Sequence, residues 1–236
     1  MTVEVLAGAG RGLIHDQDRL LREVVEGRNL LWHWLRLTAW MIAGSAAYGA
    51  VLGMWHGREL SLYVAIKLPL VLLLTSALTV AFSWTGATLL GLPLKLGQVA
   101  VLTFLALSTA SLLLASLAPV AAFFTLCAPD PTTAARTTHN LLYLLHTAFV
   151  GACGLAGTVT LWRTMRRLAS GRTLWAVYLL WVAAYALVGG EVAWVLRPFV
   201  GSVYEPVVFL REDALSGNVY EFVWTDILPH LISQLD

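Results

Sequence analysis

The chain has 236 residues, of which 58% are apolar and 12% charged, with ten tryptophans and a formal net charge of +1. A soluble domain carries about twice that share of charge, so together with a mean hydropathy of +0.75 the composition excludes an ordinary soluble globule. The near-zero net charge, with no basic cluster outside the flanks of apolar segments, argues against a nucleic-acid partner.

The first 36 residues form a polar amino-terminal segment. Its opening, MTVEVLAGAGRGLIHDQDRL, lacks a basic region followed by an apolar core and a small-residue cleavage site, so insertion is expected to depend on the later segments and not on a secretory signal. Within 18–35, Leu20, Val24, Leu31 and Leu35 share one helical face, with Arg19, Arg22, Glu23 and Glu26 opposite. Asp16 or Asp18 is placed to cap such a helix. A helix so divided lies in the membrane interface, or it packs as a connector on its own protein; the pattern fits both.

Five long apolar segments follow, at about 37–55, 62–90, 98–126, 140–162 and 174–196. Each is long enough to cross roughly 30 Å of hydrocarbon at about 1.5 Å per residue. They lack the alternation of barrel strands, and a lipid-exposed backbone must satisfy its own hydrogen bonds, so the expected fold is an all-α polytopic membrane bundle of five transmembrane helices. Five passes put Arg11, Arg19, Arg22, Arg28, Arg36, Lys95, Arg163, Arg166, Arg167 and Arg172 on one side and only Arg58, Arg136, Arg197 and Arg211 on the other. That asymmetry predicts a cytoplasmic amino terminus and an external carboxyl terminus. Trp32, Trp34, Trp162 and Trp175 near one set of ends, and Trp55 and Trp194 near the other, match the zone that amphipathic rings favour. Only Lys67 and Lys95 among the fifteen basic residues are lysines; this arginine and alanine bias fits a GC-rich genome and points to a bacterial cytoplasmic (inner) membrane.

Inside the spans, Gly49 and Gly53 stand at GxxxG spacing in the first segment, and Gly151, Gly154 and Gly157 in the fourth. Small residues let helices approach closely, and a five-span bundle must pack its own helices, so these positions read as intramolecular packing faces ahead of a dimerisation site. Lys67 lies about six residues into the second segment and Glu191 about five before the end of the fifth. The topology gives them equal depth in the external half and predicts that they lie together. His146 and Tyr143 of the fourth segment fall in the same layer, as do Tyr48 and Pro119. Intramembrane ionisable residues face the bundle interior, pair, and mark functional sites by default. A Lys–Glu pair is equally well a structural neutralisation, and Lys67 is shallow enough to snorkel.

From Pro198 the tail carries Glu205, Glu212, Asp213, Glu221, Asp226 and Asp236 against the single base Arg211. These acids bar a sixth span, yet Tyr220, Trp224, Ile227, Leu231 and Leu235 recur at helical spacing. An external amphipathic segment is expected over 216–236, docked on the outer membrane face or on a membrane-protein partner. Cys127 and Cys153 form no C-x-x-C pair, and His139 with His146 makes a poor metal site without a carboxylate. Phosphate-binding loops, the nucleophile elbow and the H-E-x-x-H motif are absent. No catalytic residue, cofactor or metal is therefore assigned.

The polar amino-terminal segment, five closely spaced spans and external carboxyl terminus resemble the Yip1-like family of five-span membrane proteins. The stretch GLPLKLGQVAVLTFLALSTASLLLASLAP at 91–119 is similar to that family's short glycine-containing loop leading into a third span that carries a proline. The likeness covers about 37–196. This chain lacks a long amino-terminal domain and any motif for a small GTPase, and its tail from Arg197 is longer. The resemblance implies a membrane-organising or trafficking-like scaffold and transfers no catalytic residue.

Overall fold

The computed structural model describes residues 17–92, 94–130, 136–197, 199–200 and 207–222. Among these the chain is helical, without strands: α1 (Gln17–Glu26), α2 (Leu30–Leu52), a single 3-10 turn (Met54–His56), α3 (Arg58–Leu89), α4 (Leu96–Leu126), α5 (Arg136–Leu168), α6 (Arg172–Val195) and the short α7 (Val219–Phe222). Helices α2 to α6 are long and apolar enough to cross a membrane, and they correspond one for one to the five apolar segments of the sequence. Most extend beyond the apolar segments. The 33 residues of α5 span about 50 Å, so its polar ends stand clear of a hydrocarbon layer about 30 Å thick.

The first span starts at Leu30, earlier than the apolar pattern indicates, because the chain turns just before it. Gly27 (φ 71°) and Asn29 (φ 54°) occupy the left-handed region, which glycine and asparagine reach at least cost. The apolar face read across 18–35 is thereby divided between two helices. Leu20 and Val24 of α1 are buried against Leu37 and Met41 of α2 and Val101, Phe104 and Leu105 of α4, whereas Leu31 and Leu35 of α2 face outward. Of the two placements open for this helix, its apolar face takes the connector's, packed on its own protein. Arg19, Arg22 and Glu26 remain on the outside. The capping role of Asp16 or Asp18 lies outside the described side chains.

Helix α4 is the centre of the bundle: 56% of its span window is buried, against 17% for α6. It packs on α2 and α5, while α2 also packs on α3, and α3 carries α6 on its far side. Close approach along α2 has a local cause. His33, Leu37, Met41, Gly44, Ser45, Tyr48, Gly49, Val51 and Leu52 are its buried residues, mostly at spacings of three and four that keep one face inward. On that face a Cβ built at Gly44 would stand 2.6 Å from the Ser111 carbonyl oxygen, one at Gly49 2.5 Å from that of Val64, and one at Gly53 2.6 Å from that of Leu60. The backbones of α3 and α4 thus lie where a side chain would otherwise be.

Helices α5 and α6 join through a turn at 169–171 and meet near it, where Trp162 stacks at 4.0 Å on Trp175 and 5.0 Å on Tyr178, and the Tyr178 hydroxyl donates to the Thr158 carbonyl (3.4 Å). Farther from the turn they part and leave a cleft. On the opposite end the tail folds back: the Tyr220 hydroxyl donates to the Leu187 carbonyl at 2.6 Å, and Arg197 lies 3.7 Å over the Trp194 ring while reaching Asp213 at 3.5 Å. Of the amphipathic segment expected over 216–236, residues 216–218 are non-helical and 219–222 form α7; the remainder lies outside the described residues, as does Arg11.

Candidate functional site

The intramembrane polar residues singled out by the sequence are divided by the fold into separate environments. Lys67 is fully buried on the inward face of α3, in line with Leu60, Val64 and Val71. The ring of Phe209, from the returning tail, lies 5.3 Å from Nζ and packs edge-on against Tyr63 at 5.4 Å. A buried cation thus meets the face of a partly exposed ring, the geometry in which an aromatic face stabilises a lysine. Snorkelling to the surface is not what this side chain does.

Glu191 stands elsewhere. It lies in the last turns of α6, near Tyr220, where its charge and the partial burial of the phenol both raise the Tyr220 pKa, burial being the larger cause. Its Oε1 is buried and accepts no hydrogen bond, and no ion pair joins it to Lys67. The direct Lys67–Glu191 ion pair expected from the sequence is thus not formed. Equal depth specifies a layer of the bundle but not the direction each helix face points, and α3 turns Lys67 inward while the end of α6 turns Glu191 toward α7.

His146 and Tyr48 do meet. Tyr48 Oη and His146 Nδ1 share a hydrogen bond of 2.8 Å across α2 and α5, with ring centroids 5.6 Å apart, and both side chains are buried. Tyr143 leaves this layer: three residues earlier on α5, it is 58% exposed and stacks on His139, which in turn lies against Trp55. An α-helix advances about 100° per residue, so residues three apart need not share the buried stripe. The polar cluster expected of Lys67, Glu191, His146 and Tyr143 is therefore not assembled. Among the described residues no group of three or more His, Cys, Asp or Glu is arranged to hold a metal.

The glycines divide in the same manner. Gly49 and Gly53 are packing positions, and a Cβ at Gly157 would meet the Ala106 carbonyl oxygen at 2.9 Å, whereas Gly151 and Gly154 have nothing within 4 Å. Sequence spacing did not single out Gly44, although its approach to α4 is as close as any; it lies one residue outside the GxxxG frame.

Two further constellations emerge only in three dimensions. The Tyr185 hydroxyl of α6 reaches the Leu72 carbonyl (3.2 Å) and Ser76 Oγ (3.2 Å) of α3, tying together two spans far apart in sequence. At the α1 end, Glu23 accepts from Arg19 Nε (3.1 Å) and Asn29 Nδ2 (3.2 Å), and His33 Nε2 lies 2.7 Å from its Oε2. Gln98 Nε2 donates to the Val24 carbonyl at 2.7 Å, while its Oε1 accepts from the Lys95 amide. The carboxyl-terminal end of α1 is thus held to both α2 and α4.

The His33 contact, then Asn29 and Arg19, hold the Glu23 carboxyl down from its ordinary 4.5 to about 2. Because the folded value is the lower one, this contribution is complete above pH 4.5 and is lost as pH falls from there toward about 2. Protection factors at residues 19–26, corrected for the intrinsic exchange rate at each pH, are expected to be high at neutral pH and to fall over that acid window, and Glu23→Gln should abolish the dependence. A protection profile unchanged down to pH 2 would contradict it.

Between α5 and α6, with α4 as its floor, lies a cleft of about 260 Å³ lined by Ala106, Ser111, Gly154, Leu161, Trp181 and Tyr185, among others. It contains no ionisable carboxylate, amine or imidazole and is almost wholly apolar.

The fold and these environments define a class: an all-α bundle of five helices with the length and composition of an integral membrane protein. Comparison adds no family to that class, for no family model, curated protein or solved structure matches the chain.

Proposed function

We propose that this chain is a non-catalytic integral membrane scaffold or accessory subunit, seated in a bacterial cytoplasmic membrane with its amino terminus cytoplasmic and its carboxyl terminus external. Its partners are the bilayer and a membrane protein engaged through the acidic tail at 197–236. The Yip1-like likeness belongs to the same proposal, since both rest on the five-span plan. The observation that carries it is the separate enclosure of the intramembrane polar groups. Lys67 is buried beneath Phe209, His146 is bonded to Tyr48, and the cleft beside them is apolar. A proton- or ion-linked transport site needs such groups on a common aqueous path, whereas enclosed pairs hold helices in register.

The second reading, a small transporter or channel component with a proton- or ion-linked site of Lys67, Glu191 and His146 in the outer half of the bundle, has one observation in its favour, a buried Glu191 Oε1 with no hydrogen-bond donor among the described residues. Cysteine accessibility separates the two. In a protein with Cys127 and Cys153 replaced, His146→Cys is expected to resist a membrane-impermeant thiol reagent from both sides, while in intact cells Leu215→Cys reacts and Ser170→Cys does not. Rapid labelling at position 146 would establish a wet path and overturn the scaffold; reversal of the other two would overturn the orientation.

A further inference from the structure

The α5–α6 turn gathers arginines at one end of the bundle. From 136 to 190 the sequence holds no aspartate or glutamate, yet Arg163, Arg166 and Arg172 lie within it, all exposed and all outside the ion pairs among the described residues. Arg19 is paired with Glu23, Arg28 with Glu26, and Arg197 and Arg211 with Asp213, whereas the three arginines at the turn lie together without such a pair among the described residues.

This charge surrounds a hollow. A depression of about 600 Å³ is lined by Arg166, Ser170 and Arg172 on its polar side and by Trp162, Leu174 and Trp175 on its apolar side. The Arg166 guanidinium lies 5.9 Å from the Trp162 ring, which holds it over the indole pair. The first turn of α6 has no acidic residue and its amino-terminal cap makes no side-chain hydrogen bond, so the helix dipole adds to the positive potential. Indole rings mark the boundary between headgroups and hydrocarbon. Beyond them, Leu155 and Leu179 stand 66% and 58% exposed along the flanks of α5 and α6, an apolar track continuous with the charged hollow.

We propose that this hollow is a binding site for the headgroup of an anionic phospholipid, its phosphate held by Arg166 and Arg172 with Ser170 as a further donor, and its acyl chains lying along Leu155 and Leu179. Charge complementarity selects the occupant: arginine guanidinium groups match phosphate oxygens in pairs, and basic pockets between transmembrane helices recognise such headgroups. Basic flanks serve orientation in many membrane proteins, but that role requires neither a hollow nor the rings beneath the charge. The assignment is independent of whether the bundle acts as a scaffold.

Native mass spectrometry of the full chain from nanodiscs, with phosphatidylglycerol titrated against phosphatidylcholine, tests it. Wild type is expected to retain phosphatidylglycerol in preference to phosphatidylcholine. The Arg166→Gln/Arg172→Gln protein should lose that preference, with apparent affinity falling about tenfold or more, while its thermal midpoint in pure phosphatidylcholine stays that of wild type. Arg58→Gln, at the other end of α3, should retain the preference. Equal retention of both lipids by wild type, or an undiminished preference in the double variant, would overturn the assignment. Stabilisation by inorganic phosphate equal to that by phosphatidylglycerol would also overturn it, showing a site for soluble anions. If the double variant failed to fold, Ser170→Asp, which places a carboxylate in the hollow without removing either arginine, should abolish the preference; its survival would be equally fatal.

Discussion

Replacing Gly49 by leucine is expected to prevent the bundle from assembling, while replacing Gly154 by leucine is expected to leave it folded. The positions read alike in sequence, since both are glycines within apolar spans at small-residue spacing. At Gly49 even a Cβ would lie 2.5 Å from the Val64 carbonyl oxygen and 3.1 Å from the Ala65 Cα, backbone atoms that cannot rotate away, whereas Gly154 has open space. Separating α2 from α3 also disturbs Gly44 and Gly53 on the same face. Overpacking a tight core costs typically about 1–3 kcal/mol, and a leucine wedged against backbone belongs at or beyond the upper end. Gly49→Ala, whose single added carbon already meets backbone, should also be clearly destabilising, though less than leucine. Unfolding in a graded detergent mixture would measure the series. A Gly49→Leu protein as stable as wild type would show that α2 and α3 are not in contact as described.

Truncating Tyr48 to alanine is the second substitution with a large expected effect, and comparison with Tyr48→Phe divides that effect into its causes. Tyr48 is fully buried among Leu52, Trp55, Val64 and Leu114, and its hydroxyl shares the bond with His146. Large-to-small changes at packed aromatic positions cost about 3–5 kcal/mol through the void they leave. Interhelical hydrogen bonds within membranes average only about 0.6 kcal/mol, with a maximum of about 1.7. Packing should therefore dominate: Tyr48→Ala is expected to be severely destabilising and Tyr48→Phe mild. The reverse order would mean that the tyrosine–histidine bond, and not the filling of space, holds α2 against α5 at this level.

The membrane class was legible because it depends on one-dimensional quantities. A run of apolar residues long enough to cross hydrocarbon must be helical there, so the five segments between 37 and 196 led to five helices whatever their neighbours. Helix ends were less legible, since Trp32, His33 and Arg36 continue α2 through a polar stretch that hydropathy alone cannot assign. The break before it was in the sequence, at Gly27 and Asn29, but was masked by an apolar periodicity running across both helices.

What the sequence could not decide was which way each helix faces. Depth along a span follows from counting residues, and counting brought Lys67, Glu191, His146, Tyr143 and Tyr48 into one layer. Rotation about the helix axis follows from packing against neighbouring helices, and packing joined Tyr48 to His146, buried Lys67 beneath Phe209, turned Tyr143 outward and left Glu191 beside Tyr220. The same rotation made Gly44 a contact and Gly154 a surface. By itself the sequence determined that there are five apolar helices and which end of the bundle carries the most arginine, because length and charge add along a chain. Only the tertiary structure decided which polar groups meet and where Arg166 and Arg172 frame a hollow, because those depend on the angular positions of helices that interact across more than a hundred residues.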